Sequence, residues 1–237
     1  MSPRGPGDQA APVLTDDVQG RVVPPGPTSV EQACPVSLPG DGGGSASEAA
    51  ASSPRVEATR LAGVKRLWAP VYADVRGSFM ELAHQRRLAD LPNFSGAFVQ
   101  SNWSVSQRGV LRGLHYQARQ PQGKLLQVLR GAIFDVTVDL RPSSPEYGRW
   151  QGLELKGPPE GDEAEQLWVP PGYAHGFQAL CDDTWVLYHC TAYYDPADEV
   201  CLRWDDPTVG VVWPLADPIL SDKDRRGLVL GQLPPAA

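Results

Sequence analysis

From Gly96 onward the chain is a succession of short runs rich in β-branched and aromatic residues, each closed by Gly, Pro, Asn or Asp. Runs of this kind between breakers read as strands. Here they cover residues 97–105, 110–117, 125–130, 132–140, 150–155, 167–169, 176–180, 184–194 and 200–204. Two earlier runs, 64–70 and 78–83, flank the turn Asp74-Val75-Arg76-Gly77. So many strands with tight turns predict an all-β sandwich or barrel rather than βαβ units. In 132–140, Ala132, Phe134, Val136, Val138 and Leu140 alternate with Ile133, Asp135, Thr137 and Asp139, a strand with two differing faces. In 184–194 the same period gathers Thr184, Val186, Tyr188, Cys190, Ala192 and Tyr194. Helix is predicted only around His84 to Leu91, stopped by Pro92, and after Pro218, where Ser221 reads as the N-cap of a short C-terminal helix.

The aromatic residues set the domain boundary. All nineteen lie at or after Trp68, whereas the first fifty-five positions hold nine prolines and eight glycines. Such a segment cannot bury enough apolar surface to offset its ordering entropy. Residues 1–58 are therefore predicted to be a disordered, low-complexity tail, clearest at Gly42-Gly43-Gly44-Ser45 and Glu48 to Ser53, and residues 59–233 a single domain. The net charge of -7, without a clustered Lys/Arg run, argues against nucleic acid or an anionic membrane as partner. No spanning apolar stretch or secretory signal is visible, so the expected location is cytoplasmic. Cys34, Cys181, Cys190 and Cys201 show no ligand spacing, and a cytosolic chain would hold them reduced.

Of four histidines, two sit beside glycine and aromatic residues on predicted strands: His115 in Arg112-Gly113-Leu114-His115-Tyr116-Gln117, and His175 in Pro171-Gly172-Tyr173-Ala174-His175-Gly176-Phe177. That placement suggests a lined cavity. Two histidines in a β-barrel invite a transition metal, yet His115 is followed two residues later by Gln117 rather than a second histidine, and no Glu lies between Gln117 and Asp135. No metal is expected. Lys124 opens an apolar strand just after a turn, where a lysine is ordinarily a solvated strand end. Arg112 and His115 are three apart, so in an ideal strand they face opposite sides. Both reach one site only if the chain kinks, which Gly113 permits through a bulge.

In its ordered motifs the sequence resembles the dTDP-4-dehydrorhamnose 3,5-epimerase family, a branch of the cupins. The resemblance runs from about Gly63 to Asp224. It rests on Asp74 to Glu81, Val99-Gln100-Ser101-Asn102, Gly109 to Gln117, Lys124, Phe134 to Arg141, Pro171 to Phe177, Tyr188, Trp204-Asp205-Asp206-Pro207, Trp213-Pro214 and Leu220 to Asp224. Each string is weak alone, and their order is specific. The resemblance implies a cupin-type double-stranded β-helix, or jelly-roll barrel, acting on a dTDP-4-keto-6-deoxy sugar with no cofactor. The ketone at carbon 4 acidifies the hydrogens on carbons 3 and 5, so removal and return of protons suffices.

By the same resemblance His115 is the base, Asp224 its orienting partner, Lys124 the charge that neutralises the enolate oxygen, and Tyr188 the acid on the opposite face. Arg76, Phe79, Glu81, Gln100, Asn102, Arg112, His175, Tyr194 and Lys223 match positions that bind substrate, with Arg76, Arg112 and Lys223 suited to the diphosphate and Tyr194 to stacking on thymine. A homodimer that exchanges N-terminal strands is implied as well, so some of these residues would serve the partner's site. Two features depart from the family: Ser101 stands where an acidic residue is common, and the N-terminal tail has no counterpart. The alternatives are a mono-epimerase inverting carbon 3 or carbon 5 alone, a silent cupin that only binds a nucleotide sugar, and a metal-dependent cupin oxygenase.

Overall fold

The structure, a computed structural model, describes residues 53–157 and 161–235, together with the course of two short N-terminal strands. These are β1 (Thr15–Asp16) and β2 (Val22–Val23), which pair with each other. The rest of the predicted tail before Ser53 lies outside the described residues. The main sheet takes in β3 (Arg55–Ala58), four residues that the sequence reading left in the tail. They pair with Lys65 to Trp68, and the Arg55 guanidinium stacks 4.0 Å over the Trp68 ring.

After β3 come β4 (Lys65–Asp74), β5 (Gly77–Met80), β6 (Gln100–Ser106), β7 (Leu111–Gln117), β8 (Lys124–Asp139), β9 (Trp150–Gly157), β10 (Glu163–Val169), β11 (Tyr173–Ala179), β12 (Thr184–Cys190), β13 (Glu199–Cys201) and the helix α1 (Asp222–Arg225). The all-β prediction holds. The long strand β8 belongs to two sheets: its first half pairs with β10 and β12, its second half with β9 and β11. The first sheet continues through β4 and β3 on one side and β6 on the other, the second through β11 to β7 and β13. The sequence divides this strand into two runs at Gly131. The backbone instead bends there without breaking, at φ +80, and a Cβ would stand 2.6 Å from Thr184 Oγ1.

Period two explains the layers. Leu126, Val128 and Ile133 face inward with Leu155, Leu167, Val169, Phe177 and Val186. Phe134, Val136 and Val138 face outward under Trp150, Leu202, Val209 and Leu230, and Leu125 packs outward with Leu67, Leu88, Leu91 and Trp168. The predicted helix near His84 is only a 3-10 turn, Gln85–Arg87, because His84 supplies no capping hydrogen bond and Leu88 and Leu91 are drawn into the outer cluster. The C-terminal helix forms as predicted, with the Asp224 amide donating to Ser221 Oγ. Among the described residues Cys190 and Cys201 are free thiols, and Cys34 lies outside the described residues. No helix among the described residues is long and apolar enough to cross a membrane.

Candidate active site

The kink that Arg112 and His115 require is present. In the β7–β11 ladder His115 pairs with His175 and Arg112 with Phe177, so three steps on one strand span two on the other. Gly113 sits in the gap at φ +128, where a Cβ would lie 2.6 Å from Gly176 Cα and 3.0 Å from the His175 carbonyl oxygen. Only glycine fits. Arg112 then reaches toward β6, donating from Nε to Ser106 Oγ at 3.0 Å and from Nη2 to the Val105 carbonyl at 3.2 Å.

His115 Nε2 lies 2.6 Å from Asp224 Oδ1, a carboxylate carried in by α1 from over a hundred residues away. Burial works against the Asp224 charge, but the contacts with His115, Ser221 and Lys223 outweigh it and hold the carboxyl below the ordinary range. With Nε2 committed to Asp224, Nδ1 is the ring atom left to accept a proton. Glu199 Oε1 stands 3.7 Å from that Nδ1. The same carboxylate is ion-paired with Lys223 and accepts from Tyr194 Oη at 3.1 Å. Burial opposes its charge too, and Lys223, His115 and Tyr194 together depress its pKa. Glu199 was not among the residues singled out from the sequence, yet it joins three of them.

The facing sheet supplies the other groups. Burial pushes the Tyr188 hydroxyl upward, with Cys190 and Glu199 adding to it and Arg112 and Lys223 opposing. Burial likewise pushes the Lys124 ammonium down, against the pull of Cys190, Glu199 and Asp135. Lys124 stands opposite Cys190 and Tyr188 opposite Asn102 in their ladders. Gln100 Nε2 donates to Asn102 Oδ1 at 2.9 Å while Gln100 Oε1 receives the Tyr194 amide at 2.8 Å, so β6 fixes the Tyr194 loop. His175 Nε2 makes a second histidine–carboxylate pair, 2.6 Å from Asp135 Oδ2. Gln117, at the position that weakened the metal reading, is occupied otherwise: its amide donates to the Gln120 and Tyr193 carbonyls and accepts from the Asp195 amide.

Three sequence-predicted residues lie elsewhere. Arg76 is bound to Asp74 within its own turn and holds that carboxyl down at about 2. Phe79 is 70% exposed on β5, and Glu81 is ion-paired with Arg87.

A jelly roll with a carboxylate-oriented imidazole on one sheet, and a phenol and a buried ammonium on the other, has the groups that acid–base chemistry in a cupin fold requires. Comparison with known proteins narrows the class. The family model described as dTDP-4-dehydrorhamnose 3,5-epimerase matches residues 58–232, and the chain belongs to that family. The dTDP-4-dehydrorhamnose 3,5-epimerase of Pseudomonas aeruginosa is 46% identical over 158 residues, covering 66% of this chain and 85% of the relative. The crystal structure of the dTDP-6-deoxy-D-glucose-3,5-epimerase of Legionella pneumophila, solved with dTDP-4-keto-L-rhamnose, superposes with a TM-score of 0.71 at 39% identity, covering 78% of this chain and 98% of that one. A dTDP-4-dehydrorhamnose 3-epimerase of Streptomyces niveus is 36% identical over 179 residues, covering 75% of this chain and 84% of the relative.

Proposed function

We propose that the protein inverts carbons 3 and 5 of a dTDP-4-keto-6-deoxy-glucose, on the way to dTDP-L-rhamnose or a related deoxysugar. The observation that carries this reading is the division of acid and base between two facing sheets. His115 stands on β7 of one, Tyr188 on β12 of the other. Inversion needs a proton removed from one face and delivered to the opposite one, which a single group does not accomplish. His115 Nδ1 takes the proton beside the ketone, Asp224 steadies the resulting imidazolium, and Lys124 supplies the cation that stabilises the enolate oxygen. Tyr188 returns a proton from across the cavity. Arg112 and Lys223 suit the diphosphate, Tyr194 the base, and Gln100, Asn102 and His175 the sugar side of the pocket.

A homodimer belongs to the same reading. Arg76, Phe79 and Glu81 sit apart from their own chain's cluster, and Phe79 with the 58% exposed Trp103 leaves apolar surface for a second copy. The hairpin would then complete the partner's site. Mixing inactive His115→Ala protein with inactive Arg76→Ala protein should restore part of the activity; no restoration would overturn the exchange.

The test of the reaction is incubation with the 4-keto sugar in heavy water. Deuterium entering at both carbons, and lost in His115→Ala while nucleotide binding persists, supports the double epimerase. Deuterium at one carbon alone establishes mono-epimerisation, the reading that the Streptomyces niveus relative favours. Retained exchange in His115→Ala removes the mechanism.

A further inference from the structure

Behind the His115–Asp224 pair stands a thiol that the proposed reaction does not use. β13 runs antiparallel to β7 and places Cys201 directly opposite His115, while α1 brings Asp224 against both. Cys201 Sγ lies 3.8 Å from Asp224 Oδ1, and His115 Nε2 lies 2.6 Å from the same oxygen. One nitrogen, one sulfur and one carboxylate oxygen, from three separate elements, fall within 4.8 Å of one another.

In a tetrahedral zinc site with bonds of about 2.0–2.3 Å, neighbouring donor atoms stand about 3.3–3.5 Å apart. The sulfur-to-oxygen separation is already close to this. The His115–Asp224 contact would open by under about 1 Å as an ion replaced the shared proton. Glu199, 3.7 Å from the other ring nitrogen, adds negative charge, part of which Lys223 offsets. The donor set mixes imidazole, thiol and carboxylate, which suits zinc and its soft neighbours and not magnesium.

We propose that His115, Cys201 and Asp224 form a binding site for a thiophilic divalent cation such as Zn2+, and that filling it switches the active site off. The cation bonds to His115 Nε2, Cys201 Sγ and Asp224 Oδ1, and the thiol proton leaves to solvent. The ring keeps its own proton, moved from Nε2 to Nδ1, the atom that must be free to accept one from substrate. The Cys201 thiol, pushed up to about 12 first by burial and then by Asp224, stays protonated until a metal displaces its proton. The inhibitory half rests on His115 being the base; the binding half does not.

Co2+ is the probe that separates the two. Added to the full-length protein it should give a thiolate-to-cobalt charge-transfer absorption that is missing in Cys201→Ser and in Cys201→Ala. Zn2+ should lower solvent exchange by the wild type at least about tenfold, reversibly with EDTA, whereas Mg2+ does nothing. Cys201→Ala, within about twofold of wild type when metal-free, should resist the same zinc concentration. Equal inhibition of both proteins, or a cobalt spectrum that is absent or indifferent to the substitution, overturns the site. A cobalt band in a protein with no metal-free exchange supports the site and overturns the reaction instead.

Discussion

Two histidine–carboxylate pairs of the same 2.6 Å length have their histidines on neighbouring strands, and they differ in burial and in how the carboxylate is held. His175 and Asp135 are sealed, with side chains 9% and 1% exposed, and both sit on strands whose ladders fix them. His115 and Asp224 are 20% and 5% exposed, and the carboxylate arrives on a four-residue helix rather than a strand. A base must meet substrate and keep a carboxylate behind it, and only the second pair has an open side. The sealed pair suits a fixed wall of the pocket.

The comparison breaks most visibly at the histidines. His115→Asn should lower kcat about 10³-fold, the range of a lost general base. His175→Asn should act mainly on KM, with kcat falling less than about tenfold. Steady-state kinetics on both variants decide it, and equal kcat losses would erase the distinction.

The carboxylates should separate rate from stability. Asp224→Asn favours the wrong ring tautomer, so kcat should fall about 10²-fold while the melting temperature drops less than in Asp135→Asn. Asp135→Asn should do the reverse, costing about 1–3 kcal/mol because the buried imidazole loses its charged partner. Chemical denaturation beside kinetics measures both.

Acid sharpens the contrast further. The folded Asp224 carboxyl is depressed, so the stability it contributes is complete above its unfolded value near about pH 4 and is lost as pH falls through the lower folded value. Melting temperatures taken down to that range should fall more steeply in wild type than in Asp224→Asn. The smallest effect belongs to the helix that delivers Asp224. Ser221→Ala should cost about 1 kcal/mol of local helix stability and lower kcat only a few-fold, with KM unchanged.

Much of this was readable in the chain. The Ser221 cap and the helix it opens follow from residue chemistry alone, and Gly113 permits the bulge that Arg112 and His115 need to reach one site. Gly131 misled because a left-handed glycine ends most runs, whereas here both halves of the strand find partners on both sides and pairing carries through the bend. Glu199 was missed for a plainer reason. It follows Asp198 in a polar stretch that reads as solvated, and the strand predicted at 200–204 began one residue too late to place Glu199 in a ladder opposite Gln117. The roles proposed for Tyr188 and Asp224 rest on family resemblance, because a part-buried tyrosine and a helix-turn aspartate look ordinary in the sequence, and the fold then brings Asp224 against His115.

The sixteen-residue strand β8 also has a consequence for how the protein is made. All four of its partners, β9, β10, β11 and β12, follow it in the chain, the last beginning at Thr184. During synthesis the strand emerges with nothing to pair with and stays an open template until the later strands are delivered. Contacts of such long sequence separation fold slowly, and a newborn chain stalled before β12 would expose an adhesive edge. Once the barrel has closed, the order reverses: the amides of β8, paired on both sides, should be among the last to exchange with solvent.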